Sequence, residues 1–209
     1  MYLSDRDLSW AIETGKLLCD PRPEKIDANS IDLHLDSASE ARIWNIQGFM
    51  QDQVDQGRDR PELRIAQYKL ASFSSRYCTS PPNYSADPGQ LVGMRGNEIV
   101  VKPQGFLLWQ TKETVGTPSQ NADLICFVDG KSTRARAGIV VHLTAPTIHT
   151  SWSGKITLEI YNAGPFDIVL QENDVIGQII VARITSSPQK TLGNPSVTVG
   201  QTEVGGTRR

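Results

Sequence analysis

The sequence predicts a mainly β fold of the sandwich, barrel or jelly-roll kind, preceded by one short N-terminal helix. Three observations carry this. From residue 98 onward, strand-like runs recur at 98–101, 106–111, 124–128, 139–143, 156–161, 167–170 and 175–184, with apolar and polar residues alternating. Turn residues punctuate them at Pro103-Gln104-Gly105, Asp129-Gly130, Gly154, Ala163-Gly164 and Glu172-Asn173-Asp174. A helical period is clear only near the N-terminus, and many short strands with one helix specify an all-β architecture.

Taken in order, Ser4 is an N-cap, and Asp7 three residues later makes an acidic capping box. Leu8, Ala11 and Ile12 follow at helical spacing and Gly15 sits where the helix should stop, so a helix is expected over 5–14. Pro21 and Pro23 break the chain. Ile31, Leu33 and Leu35 then alternate with polar residues in a half-buried strand. Between 36 and 97 the pattern is poorer. Residues 51–64 are strongly polar, and Ser80-Pro81-Pro82-Asn83 and Asp87-Pro88-Gly89 are turns. Short strands joined by long loops are expected there, inside a domain of residues 1–185. Residues 186–209, rich in Gly, Ser, Thr and Pro, read as a tail that is mobile unless something binds it.

The bulk composition excludes several function classes. At 209 residues the chain suits one domain with a real core. Lys and Arg (21) nearly balance Asp and Glu (23), so no basic field draws long nucleic acid, and an anionic ligand must be held locally. There is no apolar run of ~18 residues for a membrane span. MYLSDRDLSW lacks the layout of a signal peptide. Cys19, Cys78 and Cys126 are odd in number and dispersed, which argues against a disulfide framework. A cytoplasmic location is the expectation.

The chemistry concentrates in residues 129–164. Lys131, Ser132, Thr133, Arg134 and Arg136 form a polar cluster able to meet an anion through cations, hydroxyls and backbone N–H groups. A solvated basic turn is the plain alternative. A P-loop is not, because Ile125 stands where its first glycine belongs and no helical continuation is expected. Arg136 precedes an apolar strand and is expected to be semi-buried against an anionic partner. His142 reads as a hydrogen-bonded core or interface histidine, whereas His149, in a Pro-containing hairpin, is the better ligand contact. In the strand 156–161, Ile156, Leu158 and Ile160 face the core while Thr157, Glu159 and Tyr161 share the other face. A Glu there, partly desolvated in a pocket wall, would have a raised pKa suited to proton transfer near neutrality. The H-x-E and P-C-x-x-C of zinc deaminases and the G-x-S-x-G of serine hydrolases are missing, so hydrolysis is expected without protein-bound zinc or a covalent Ser.

These motifs resemble the dCTP deaminase branch of the trimeric dUTPase superfamily. The likeness is carried by Leu3-Ser4-Asp5-Arg6-Asp7, Ser30-Ile31-Asp32-Leu33, Asp129-Gly130-Lys131-Ser132-Thr133-Arg134-Ala135-Arg136, His142-Leu143-Thr144-Ala145, Trp152-Ser153-Gly154, Leu158-Glu159, Tyr161-Asn162 and Gly200-Gln201-Thr202. It implies a distorted jelly-roll, or β-clip, dUTPase-like fold assembled as a homotrimer, with active sites at subunit interfaces. It implies conversion of dCTP to dUTP and ammonia, with Glu159 as general base and Arg136, Ser132 and the Ala145 backbone beside the water. Lys131, Ser132, Thr133, Arg136, Thr147, Ile148, His149, Trp152, Tyr161, Gln178 and Gln201 would contact nucleotide, with Mg²⁺ held by the triphosphate. Two departures from the family pattern are His149 where many relatives have Asp, and Thr147 where Arg is frequent. The alternatives are a dUTP diphosphatase, a bifunctional deaminase–diphosphatase, and a non-catalytic nucleotide-binding regulatory trimer.

Overall fold

A computed structural model of the chain describes residues 1–58, 60, 62–117 and 122–188. The chain begins with α1 (Asp5–Glu13), whose first turn is capped by Ser4, the Asp7 N–H donating to its hydroxyl. Leu8 and Ala11 are fully buried beneath it, and Gly15 ends it at φ +71°, a conformation glycine adopts without strain. Then come β1 (Leu18–Asp20), β2 (Ile31–His34), β3 (Ile43–Trp44), α2 (Ile46–Asp55), α3 (Leu70–Tyr77), β4 (Cys78–Thr79), β5 (Val92–Arg95) and β6 (Glu98–Val101). The second half contains β7 (Phe106–Gly116), β8 (Leu124–Gly130), α4 (Ser132–Ala135), β9 (Ile139–Val140), β10 (Thr147–Ile148), β11 (Ser153–Asn162), β12 (Ile168–Gln171) and β13 (Val175–Arg183).

Two four-stranded sheets, β1-β7-β11-β9 and β10-β8-β13-β2, form the body, with β12-β6-β5 and the short pair β3-β4 at its margins. Every named strand pair is antiparallel, and the sheets stay open rather than closing into a barrel. Leu107, Trp109, Leu158 and Ile160 from the first sheet meet Leu33, Cys126, Ile179 and Val181 from the second in one core. Each buried side chain of this size contributes about 1.5–3 kcal/mol, which is why period-two alternation dictates which face turns inward. The expected mainly β, jelly-roll-like architecture is what the strands build.

A corner between the sheets decides where the site lies. β1 covers only the Thr114–Gly116 end of β7. The rest of that edge is taken by the chain leaving β2, which bridges at Leu35↔Thr111 and again at Arg42↔Leu108. The strand that began in one sheet thus finishes against the other.

Several expectations are corrected. The 36–97 region holds the short strands expected there, β3, β4 and β5, but it also folds two helices that were not expected, α2 and α3, so the chain is not a one-helix protein. Their inner faces share an aromatic cluster in which Phe73 meets Trp44, Phe49, Tyr68 and Tyr77 at 4.9–5.6 Å between ring centroids. The strand expected at 139–143 stops at Val140, where pairing with β11 ends. The expected hairpin after it is a crossover: β9 pairs with β11 in one sheet, whereas β10 pairs with β8 in the other. Lys131-Ser132-Thr133 does have a helical continuation, the single turn α4. All three cysteines are free thiols, and no helix among the described residues is long and apolar enough to cross a membrane.

Candidate active site

Strand β11 positions the central carboxylate. Its side chains alternate as expected, with Ile156, Leu158 and Ile160 at 8%, 0% and 1% exposure while Thr157, Glu159 and Tyr161 are half-buried on the other face. Glu159 opens into a cleft of about 710 Å³. Phe106 and Leu108 of β7 form its floor with Thr157, and Ala145, Thr147, Ile148, His149 and Trp152 of the crossover and β10 form one side. Burial is the largest influence on the carboxyl group and pushes its pKa up, opposed by a hydrogen bond from the Leu143 backbone N–H and by the neighbouring His142. The result is a carboxylate shielded by apolar side chains and favoured toward taking up a proton, the property required of a general base working near neutrality.

The crossover explains why His142 lies close to Glu159. Leaving β9 at Val140, the chain buries and bends at Val141, which brings His142 beside Glu159 and the Leu143 N–H to the carboxylate. His142, expected as a hydrogen-bonded core or interface histidine, is half-buried, and its Nδ1 is buried with no hydrogen-bond partner among the described residues.

The expected site residues fall into two groups. Ala145, Thr147, Ile148, His149, Trp152 and Glu159 line the one cleft. Lys131, Ser132, Thr133 and Arg136 lie instead at the end of β8 and along α4, and none of them lines it. Gln178 belongs with this second group, facing Asp129 across the β8–β13 ladder and donating from Nε2 to the Gly130 carbonyl at 3.3 Å. Arg136 is exposed at the C-terminal end of α4, which corrects the semi-buried placement: the single turn anchors itself through Arg134, whose Nε donates to the Val175 carbonyl, and leaves Arg136 in solvent. Lys131 Nζ is engaged within the chain, 2.5 Å from Asp32 and 3.5 Å from Asp27. Tyr161 stands outside the cleft, paired with Phe106 and Val140. Gln201 lies outside the described residues.

Trp44, Tyr68 and Leu70 also line the cleft, and sequence reading missed them. They come from the 36–97 stretch, for which only short strands joined by long loops are expected. The signal available was the recurrence of Trp44, Phe49, Tyr68, Phe73 and Tyr77, too many aromatic residues for a solvated loop.

A second hollow of about 470 Å³ lies between β2 and the Pro21–Lys25 turn, and most of its charged groups are paired within the chain. His34 Nδ1 is 2.7 Å from Glu113, Lys112 donates to Asn173 at 2.6 Å, and Asp32 holds Lys131. Among the described residues, no group of three or more His, Cys, Asp or Glu side chains is arranged to hold a metal ion.

Comparison with known proteins bears on the family and the fold. Residues 2–184 match the family model described as dCTP deaminase-like. The dCTP deaminase of Marinomonas sp. (strain MWYL1) is 30% identical over 192 residues, covering 91% of this chain and 87% of that one. The dCTP deaminase of Tolumonas auensis is 28% identical over 179 residues, covering 86% and 82%. The crystal structure of 2′-deoxycytidine 5′-triphosphate deaminase from Agrobacterium tumefaciens superposes with a TM-score of 0.53 at 16% identity, over 86% of this chain. This chain spans about half the length of that protein, 47%, and at such identity the likeness concerns the fold. With a family match running from the first bridge through β13, the chain belongs to the dCTP deaminase-like family.

Proposed function

We propose that the protein deaminates dCTP hydrolytically to dUTP and ammonia, with Glu159 as general base. The observation that carries this is the half-buried carboxylate, its pKa raised by burial, at the floor of an apolar-walled cleft. Glu159 takes a proton from water as the oxygen bonds to C4 of the cytosine ring. It then returns that proton to the amino group, the C4–N bond breaks with loss of ammonia, and the second water proton passes from the C4 hydroxyl to N3, leaving the uracil carbonyl. The Leu143 N–H holds one carboxylate position, leaving the other lone pairs for water. Ala145, Thr147 and Ile148 would present backbone groups to the base edge, with Trp152 and His149 beside base and sugar.

The phosphate side is the reason to propose a homotrimer. Ser132, Thr133 and Arg136 are exposed on α4 and lie outside the cleft of their own chain, so they are suited to complete the cleft of a neighbouring copy. In that arrangement Arg136 and Ser132 orient Glu159 and its water, Tyr161 packs beside them, and Lys131 and Gln178 lie toward the triphosphate. Mg²⁺ would arrive bound to the triphosphate and screen its charge. The tail, with Gln201, would close over the phosphates. The reading also assigns the protein to the cytoplasm, where reducing conditions keep Cys19, Cys78 and Cys126 as thiols.

The test is product analysis with dCTP and Mg²⁺. Ammonia and dUTP in equal amounts are expected. Pyrophosphate without ammonia would replace the deaminase reading with a diphosphatase, and nucleotide binding without either product would leave a regulatory binder.

A further inference from the structure

The cleft has two unlike sides. Its hydrogen-bonding groups, Glu159, Thr157, Thr147 and His149, belong to β11, β10 and the turn after it. The opposing side is contributed by the 43–79 excursion and is aromatic and aliphatic, built from Trp44, Tyr68 and Leu70. This wall is fixed in place. Arg42 and Leu108 exchange backbone hydrogen bonds of 2.7 and 2.8 Å, and Asn45 donates to the Tyr77 carbonyl at 2.7 Å. Continuing the antiparallel register from Arg42↔Leu108 carries Trp44 alongside Phe106. Trp44 and Tyr68 both pack edge-on against Phe73, each at 5.2 Å between centroids.

A cytosine ring has a polar edge of N3, the 4-amino group and O2, and a carbon edge of C5 and C6. Deamination requires C4 at Glu159 and the polar edge on the hydrogen-bonding side, which turns the carbon edge toward the apolar wall. We propose that Trp44, Tyr68 and Leu70 are specificity-determining residues that contact this carbon edge and set how large a substituent at C5 is admitted. The inference rests on the deaminase reading above and extends it to a substrate class, cytosine nucleotides graded by the size of the C5 group. An apolar wall discriminates by shape, and one methyl or methylene group against such a wall changes kcat/KM by roughly 10–200-fold.

The experiment measures kcat/KM for dCTP and 5-methyl-dCTP with the wild type, Leu70→Ala, Tyr68→Ala and Leu70→Trp. Leu70 is 42% exposed, so trimming or enlarging it opens no void in the core. The ratio of 5-methyl-dCTP to dCTP should rise by about tenfold or more in Leu70→Ala and Tyr68→Ala and fall by a similar factor in Leu70→Trp. Opposite signs at one position are an effect that mere loosening of the fold does not produce. A ratio within about twofold of wild type in both Leu70 variants overturns the inference while leaving the deaminase reading intact. Wild-type protein that releases no ammonia from dCTP overturns both.

Discussion

Glu159 stands directly across the β7–β11 ladder from Leu108, and Leu108 is held on its other side by Arg42. The carboxylate proposed as general base and the excursion that walls the cleft therefore share one strand as their common support. Shifting β11 by a single residue against β7 would turn Glu159 toward the core and Leu158 into the cleft, so the register of this pair sets the orientation of the site.

The first prediction concerns stability. Burial raises the Glu159 pKa above its ordinary value of 4.5, so the folded chain holds this proton more tightly than the unfolded chain. The stability from that proton is fully present below the unfolded-state pKa and is lost as pH rises through the higher folded pKa. Glu159→Gln removes the penalty of a buried charge and should melt above wild type at neutral pH, with no advantage at acid pH. The side chain is half exposed, so the gain should stay within ~1 kcal/mol, about 2–4 °C in Tm. Calorimetry across the pH range checks it; an equal gain at every pH would contradict the titration argument.

The second prediction uses the separation of the two residue groups. Glu159→Gln and Arg136→Ala should each be inactive alone. Co-expressed, they should recover up to about a quarter of wild-type activity, because random trimers then contain interfaces with one intact Glu159 and one intact Arg136. Purified mixed trimers without recovered activity would place Arg136 outside the neighbouring cleft.

The third prediction concerns Lys131, whose charge is shared between Asp32 and Asp27. Asp32→Asn frees that cation to meet phosphate and should lower KM for dCTP by about two- to fivefold at low salt, the scale of a partly exposed ion pair. The effect should fade as salt rises. An unchanged KM at low salt would mean that Lys131 remains with Asp27 and does not reach the nucleotide.

What was legible in the sequence follows from periodicity. β11 is legible because it buries one face completely, and the alternation around Glu159 puts the carboxylate on the half-buried side; β7, buried on both faces, is legible as an apolar run. The 36–97 region was not legible, because its helices bury aromatic side chains against one another and leave Ile46, Met50 and Val54 exposed, at 58%, 45% and 60%. The apolar recurrence at Ile46, Met50 and Val54 therefore marks a solvent-facing side of α2 and not the core. The ends of strands were misjudged for a related reason. His142 and Leu143 continue the alternation of β9 in sequence, but pairing ends at Val140 because the chain must cross to the other sheet, a requirement set by topology. Arg136 was read from its apolar neighbour Ile139, which says nothing about a single-turn helix lying between them.

The central claim is that a desolvated carboxylate at position 159 takes the proton from the attacking water. It is tested most directly by measuring ammonia release from dCTP by Glu159→Gln, alongside nucleotide binding by the same protein. The account predicts that binding is retained while turnover falls by ~10²-fold or more, the scale of a lost general base. Ammonia released at the wild-type rate by that variant would contradict it.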